Sequence, residues 1–207
     1  MEHTVITIGR SYGSGGRTLG KLLAKELGIN YYDRELLRLA SDESGINEAL
    51  FGKADETLKS TSLFKIARRE YKGQVIPPDS DDFVSNDNLF NYQAKVIREL
   101  ANTESCVIIG RCADYLLKDC DFAVRLFFYA PGEDCIARVM KQNGGTEKEI
   151  TRKIEKIDKH RSEYYKYYTG QDWNDARNYD LCLNTSSMSY EKLVEVVKSY
   201  INICRTV

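Results

Sequence analysis

The stretch ITIGRSYGSGGRT, Ile6 to Thr18, sets Gly13, Gly15 and Gly16 around Ser14 and ahead of Arg17 and Thr18. Glycines in such a turn let successive backbone N–H groups point inward around an anion, and a helix that starts there adds the partial positive charge of its N-terminus. Ser14 and Thr18 add hydroxyls, and Thr18 stands where it would orient a Mg²⁺ ion or its water. The usual signature is incomplete, because Gly16 and Arg17 occupy the places where Lys and then Ser or Thr are expected. Gly16 offers no cation to stabilise charge on a transferred phosphoryl group. Arg17 is next in line, and Lys21 lies one helical turn later on the same face. On these residues alone the segment reads either as a phosphate site or as a plain tight turn.

A second constellation lies far along the chain. Ile150, Ile154, Ile157, Arg161, Tyr164 and Tyr168 recur at alternating four- and three-residue steps, so Arg161 falls within an apolar and aromatic helical stripe. A charge there needs a partner, and Asp158 is one turn earlier. The pair reads either as a local helix support or as a group that meets a phosphate or ribose in a cleft, for which the planar fork of Arg is suited. The tyrosines of EYYKYY are expected to cover a neighbouring helix and Trp173 to anchor a loop. Arg125 is expected to be a paired or edge charge, and His160 a solvated helix residue. Arg177 is placed either in the cleft or outside it, and the basic residues Arg68, Arg69 and Lys72 either on a solvated face or near an anion.

The elements that must position these residues follow from periodicity. Val5 to Ile8 is a β-branched run, and Leu19, Leu22, Leu23 and Leu27 have the spacing of a half-buried helix that Gly28 stops. INYYD, CVIIG, AVRLFFYA and YDLCLN read as further strands with the continuity of strands covered on both faces. Helices are expected over RELLRLASDES, around Phe90 to Ala101, at Tyr115 to Leu117, from about 132 to 142, from 146 to about 169, and at the end of the chain. Between about 45 and 88 the pattern weakens, and the segment reads as a lobe with loop signals such as PPDSDD. Strands separated by helices imply right-handed crossovers and a parallel sheet whose ligands sit at the carboxyl ends of its strands. The fold class expected is α/β, a three-layer parallel sheet flanked by helices.

With 207 residues the chain is sized for one core with a small inserted lobe. Apolar content of 42% and charged content of 29% are ordinary for a globular protein, and a net charge of −1 gives no overall pull toward nucleic acid or membrane. The expected protein is cytoplasmic, with neither nucleic acid nor membrane as a partner. The six cysteines form no C-x-x-C pair and read as reduced, mostly buried small hydrophobes.

The whole chain resembles the cytidylate kinase-like family, relatives of the P-loop nucleoside monophosphate kinases. ITIGRSYGSGGRT is similar without gaps to that family's phosphate loop, with Gly13, Gly15 and Thr18 in register and Gly16 at the lysine position. YYDRELL, with Asp33, looks like the opening of the monophosphate-binding lobe. IIGRC resembles a strand-end Gly-Arg-Asp motif whose arginine, here Arg111, contacts the monophosphate nucleotide; Cys112 replaces the aspartate. Arg138 matches an arginine of the helix leading to the lid, Asp158 and Arg161 keep an Asp-x-x-Arg spacing for sugar and phosphate contacts, and Ile154 replaces a further arginine for which Arg152 or Lys153 would substitute.

The resemblance implies a single P-loop kinase-like domain with a monophosphate lobe at 34–92 and a lid at 138–172. The expected activity is transfer of a phosphoryl group from ATP, with Mg²⁺, to a nucleoside monophosphate, CMP or dCMP first. Arg17, Arg138 and Arg161 would be catalytic, Gly13 to Thr18 would bind the donor phosphates, and Asp33, Arg111, Asp158 and Arg161 would bind the acceptor. The rival expectation is a nucleotide- or anion-binding module that keeps this fold without efficient catalysis. A third is a kinase of a small non-nucleotide alcohol.

Overall fold

A computed structural model describes residues 3–56 and 74–205. Strand β1, Val5–Arg10, is followed by the loop that turns into helix α1, Gly16–Leu27. Then come β2, Asn30–Tyr32, and helices α2, Glu35–Ser44, and α3, Glu48–Glu56. Helix α4, Asn86–Thr103, leads to β3, Cys106–Ile109, and the short α5, Ala113–Leu116. Strand β4, Ala123–Tyr129, precedes α6, Gly132–Asn143, and α7, Glu147–Thr169. A 3₁₀ turn, Ala176–Asn178, then β5, Leu181–Asn184, and α8, Tyr190–Arg205, complete the described chain.

All pairings in the five-stranded sheet are parallel, in the order β2-β3-β1-β4-β5. Strand β1 is therefore central, between β3 and β4. Its alternate residues feed two cores: Val5 joins Cys106, Ile108 and Phe127 on one face, and Ile6 and Ile8 join Val107, Ile109, Leu126 and Phe128 on the other. Burial on both faces is why these strands read as continuous apolar runs rather than as alternating ones. The loop after β1 and the turn after β3 thus emerge side by side at the same edge of the sheet.

Local chemistry explains the helix ends. Gly28 adopts the left-handed conformation that closes α1, and α7 opens with a capping box in which Thr146 and Glu149 satisfy each other's backbone donors. Helix α3 is a correction to the sequence reading, which treated this stretch as part of a weakly patterned lobe. Its burial rests on Phe51 and Ala54 alone, too sparse a pattern to announce a helix. The tyrosines of α7 cover α4 as expected: Tyr168 stacks on Phe90 with centroids 3.8 Å apart, and Tyr164 meets the same ring edge-on. Trp173 packs edge-on against Phe127, and Arg125 pairs with Asp180. In the last helix Leu193, Val194, Val197 and Ile201 are buried, while Cys204 is exposed, unlike the mostly buried cysteines expected. Arg68, Arg69 and Lys72 lie outside the described residues. Among the described residues no helix is long and apolar enough to cross a membrane.

Candidate functional site

The loop between β1 and α1 is built by glycine geometry. Gly13 and Gly15 both have φ of 84°, a region in which a side chain is strained. Neither has room for one either: a Cβ on Gly13 would lie 2.8 Å from the Cys135 carbonyl oxygen, and one on Gly15 would collide with the Tyr190 hydroxyl. The loop is also held from outside. Arg138 donates through Nη1 to the Ser14 carbonyl at 3.0 Å and to Thr185 Oγ1 at 2.9 Å, and through Nη2 to the Thr185 carbonyl and to Ser186 Oγ. Thr185 Oγ1 itself donates to the Ser14 carbonyl at 2.6 Å. Helix α6 and the end of β5 therefore fix the back of the loop.

Ser14 is fully buried and its hydroxyl donates to the Ser11 carbonyl at 2.8 Å, so it closes the loop internally. The backbone N–H groups of Gly13, Gly15, Gly16, Arg17 and Thr18 donate to no protein group among the described residues. Those of α1 are the unsatisfied donors that any helix start leaves, and here they carry the favourable end of the helix dipole. Thr18 is exposed on the first turn of α1. The arrangement fits an anion of several oxygens, and a Mg²⁺ ion carried by such an anion would find the Thr18 hydroxyl nearby.

Asp33, at the end of β2, joins two arginines. Its carboxylate meets Arg17 Nε at 2.8 Å, and its backbone carbonyl accepts from Arg111 Nη1 at 2.6 Å. Arg111 also meets Asp55 at 3.1 Å. The turn that presents it is strained: Gly110, Arg111 and Cys112 have φ of 70°, 54° and 55°, and left-handed conformations at non-glycine residues cost about 1 kcal/mol or more each. Asp55 was not among the residues singled out from sequence. It sits in α3, whose existence the local pattern did not announce, and burial raises its pKa against the opposing pull of Arg111. His160 is a correction of the same kind. Expected in solvent, it is partly buried with Nε2 2.5 Å from the Asp55 carbonyl oxygen.

From α7, Arg161 donates through Nη1 to the carbonyl of Arg10 and to Asp158, both at 3.1 Å. Asp158 accepts from the Tyr12 backbone N–H at 2.8 Å. Burial lowers the pKa of Arg161 and raises that of Asp158 even though each opposes the other's shift. Desolvation thus costs both partners more than their attraction returns, as is common for buried ion pairs. Arg161 also lies over the Tyr12 ring, 5.5 Å from its centroid, as does Lys153 at 5.9 Å. Arg152 is exposed and lines a surface dip with Glu147, Lys148 and Thr151. Arg177 stands outside, 89% exposed and paired with Asp175.

The structure therefore gathers Gly13 to Thr18, Asp33, Arg111, Asp158 and Arg161 at one end of the sheet, with Arg138 behind the loop. Arg10 was passed over in the sequence, where it reads as the end of a strand. It lies among Arg17, Arg111 and Arg161, and its Nε is buried without a hydrogen-bond partner.

Known proteins are similar to this chain over nearly its full length. The cytidylate kinase of Methanopyrus kandleri is 28% identical across 96% of this chain and 93% of its own length. That of Pyrococcus horikoshii is 29% identical across 97% and 90%. Among solved structures, a protein from Eubacterium ventriosum is 26% identical and superposes with a TM-score of 0.69 over 96% of this chain and 98% of its own. A shikimate kinase from Bacteroides thetaiotaomicron, 14% identical, shares the fold with a TM-score of 0.55 over 96% and 98%. The model of the cytidylate kinase-like family matches residues 5–187, a span that takes in the glycine loop, the Asp33–Arg111 link and the Asp158–Arg161 pair. The chain belongs to the cytidylate kinase-like family.

Proposed function

We propose that the protein transfers the γ-phosphoryl group of ATP to a nucleoside monophosphate, CMP or dCMP before others. The observation that carries this reading is the link through Asp33: one residue ties Arg17, on the helix that leaves the glycine loop, to Arg111, on the turn after β3. A donor site and an acceptor site on either side of such a link face one small volume, the alignment that phosphoryl transfer requires.

Gly13 to Thr18 would cradle the donor phosphates with backbone donors, and Arg111 would hold the acceptor phosphate while Asp33 and Asp55 fix its guanidinium. Arg17 would stand between the two. Asp158 and Arg161 would bring acceptor ribose and phosphate contacts from the lid, residues 138–172, and residues 34–92 would form the monophosphate lobe. Arg138 would act by holding the loop in shape. A bound Mg²⁺ would supply charge neutralisation at the donor phosphates, and Thr18 would hold it directly or through water.

Incubation with ATP, Mg²⁺ and a panel of nucleoside monophosphates, followed by separation of products, tests the reading. Accumulation of a diphosphate, largest with CMP or dCMP, is expected. The rival reading, a binding module, is favoured by Gly16 in the lysine position and predicts nucleotide binding with no diphosphate from any acceptor. Turnover that appears only when small alcohols join the panel would reassign the acceptor.

A further inference from the structure

A phosphate loop without its lysine leaves a gap in charge, and the structure fills the corresponding space from another strand. Gly16 is the first residue of α1. A Cβ built on it would lie 2.7 Å from Arg10 Cβ and 3.1 Å from Arg10 Cγ. The stem of Arg10 therefore starts where a lysine stem at position 16 would start. Its other end reaches the turn after β3, where a Cβ on Gly110 would collide with Arg10 Nη1. Arg10 thus spans from the head of the glycine loop to the residue before Arg111, and glycine at both positions leaves it the room.

The guanidinium has nothing to hold. Arg17, Arg111, Arg138 and Arg161 each donate to a protein oxygen. Arg10 donates side-chain hydrogen bonds to no protein group among the described residues, and its Nε is buried and unpartnered. The Oγ of Ser11, next along the loop, is buried and unpartnered as well. A buried N–H donor left without an acceptor in a crowd of other arginines is costly until an anion arrives. Burial and repulsion by Arg161 bring its pKa down to about 9, which still leaves it charged at neutral pH; Asp33 opposes the shift.

The other cations near the loop are engaged. Arg17 is bound to Asp33, Lys21 lies 5.7 Å from the centroid of Tyr31, and Arg138 is tied to the back of the loop. We infer that Arg10 is a catalytic residue, supplying from β1 the cation that a phosphate-loop lysine supplies from the helix and meeting the β- and γ-phosphate oxygens of the donor. The inference rests on the kinase reading above. In that reaction the bond from the γ-phosphorus to the bridging oxygen breaks and its electron pair leaves on the β-phosphate of ADP. An ionised oxygen of the acceptor phosphate forms the new bond, no proton is consumed, and Arg10 faces the charge that moves between the two groups.

The test exchanges the two positions. Turnover with ATP, Mg²⁺ and CMP, and ATP affinity by calorimetry, are compared in the wild-type chain, Arg10→Ala, Arg10→Met, Gly16→Lys and Arg10→Ala/Gly16→Lys. Loss of the charge should lower kcat roughly a hundredfold to a thousandfold, the scale for one charge-stabilising donor. Arg10→Met keeps the stem against Gly16 and should lose as much as Arg10→Ala. Gly16→Lys alone should also lose activity, because its stem meets that of Arg10. The double variant should recover at least about tenfold over Arg10→Ala, since a restored cation recovers part of that donor's contribution.

Wild-type kcat in Arg10→Met would show that the side chain is packing only and overturn the assignment. So would a double variant that melts near wild type and gains nothing. If the wild-type chain phosphorylates no acceptor, the kinase reading fails separately. Arg10 is then judged by ATP affinity, expected to fall about tenfold without its charge-assisted contacts and to return in the double variant; unchanged affinity overturns its contact with the donor.

Discussion

The carboxylate of Asp158 sits astride the backbone N–H of Tyr12, with Oδ1 2.8 Å and Oδ2 3.0 Å from the nitrogen. Helix α7 thus holds the glycine loop through an anion. On the proposed reading a phosphate reaching the Tyr12 N–H would compete with that carboxylate, which Arg161 also holds while donating to the Arg10 carbonyl.

Competition at Tyr12 has a measurable result. Asp158→Ala removes a negative charge beside the loop and should tighten tripolyphosphate binding severalfold by calorimetry, since close charges at the effective dielectric of such a site interact by a few kcal/mol before screening. In the kinase assay the same variant should turn over more slowly, because Arg161 loses the partner that aims it. Arg161→Ala should also lower kcat. Removing both residues should leave the melting temperature near wild type, because burial costs the pair more than its attraction returns. A large melting loss in the double variant with unchanged kinetics would make the pair a helix support.

Arg17 and Lys21 differ in what they touch. Arg17 is tied to Asp33, whereas Lys21 faces the Tyr31 ring. Arg17→Ala should therefore reduce kcat/KM by roughly tenfold or more, with much of the loss in KM for the acceptor, and Lys21→Ala should change it little. Steady-state kinetics against CMP at saturating ATP separates them. Equal small effects would remove Arg17 from the site.

Two glycines with similar backbones separate strain from crowding. Gly15 has φ of 84° and no room beside the Tyr190 hydroxyl, while Gly28 has φ of 67° and nothing within 4 Å. Gly28→Ala should cost about 1 kcal/mol, the left-handed penalty alone. Gly15→Ala should cost at least twice that by chemical denaturation and should also abolish tripolyphosphate binding, because the loop must shift to accept a methyl group.

Asp114 gives stability a pH dependence of known sign. It is buried and accepts from the Tyr165 hydroxyl at 2.6 Å, and burial raises its pKa from 3.8 to about 6. The folded state then binds a proton more tightly than the unfolded state, so this group's contribution falls as pH rises from about 4 to about 6 and is level above that. Over the whole rise the penalty amounts to roughly 3 kcal/mol. Asp114→Asn, whose amide oxygen still accepts from Tyr165, should melt above wild type at pH 8, with the difference closing as pH falls toward 4. A difference that widens on acidification would show the opposite sign.

How much of this was legible in the residues depends on the distance over which each feature is decided. The β-branched run before Gly9, the glycine turn and the leucine spacing of α1 are local, and they alone specify a strand, a loop and a helix in that order. The continuity of the apolar strands likewise carries a sheet covered on both faces, and the absence of a lysine at Gly16 can be read without coordinates. The order of the short motifs carried the family, because order is a property of the chain.

What stayed hidden joins residues far apart. Tyr12 and Asp158 are separated by 146 positions and Arg111 and Asp33 by 78, and no periodicity marks such partners. Asp55 lies in a helix with few buried positions, so neither the helix nor its carboxylate stood out. Arg10 carried no local signal at all. Only the close approach of β1 to the first turn of α1 and to Gly110 shows where its stem runs, and only burial shows that its charge is unmatched. Local pattern determined which elements form, because backbone preference and side-chain periodicity act over a few residues. The tertiary structure decided which charges face one another, because that depends on how the sheet order and the crossovers bring the strand ends together.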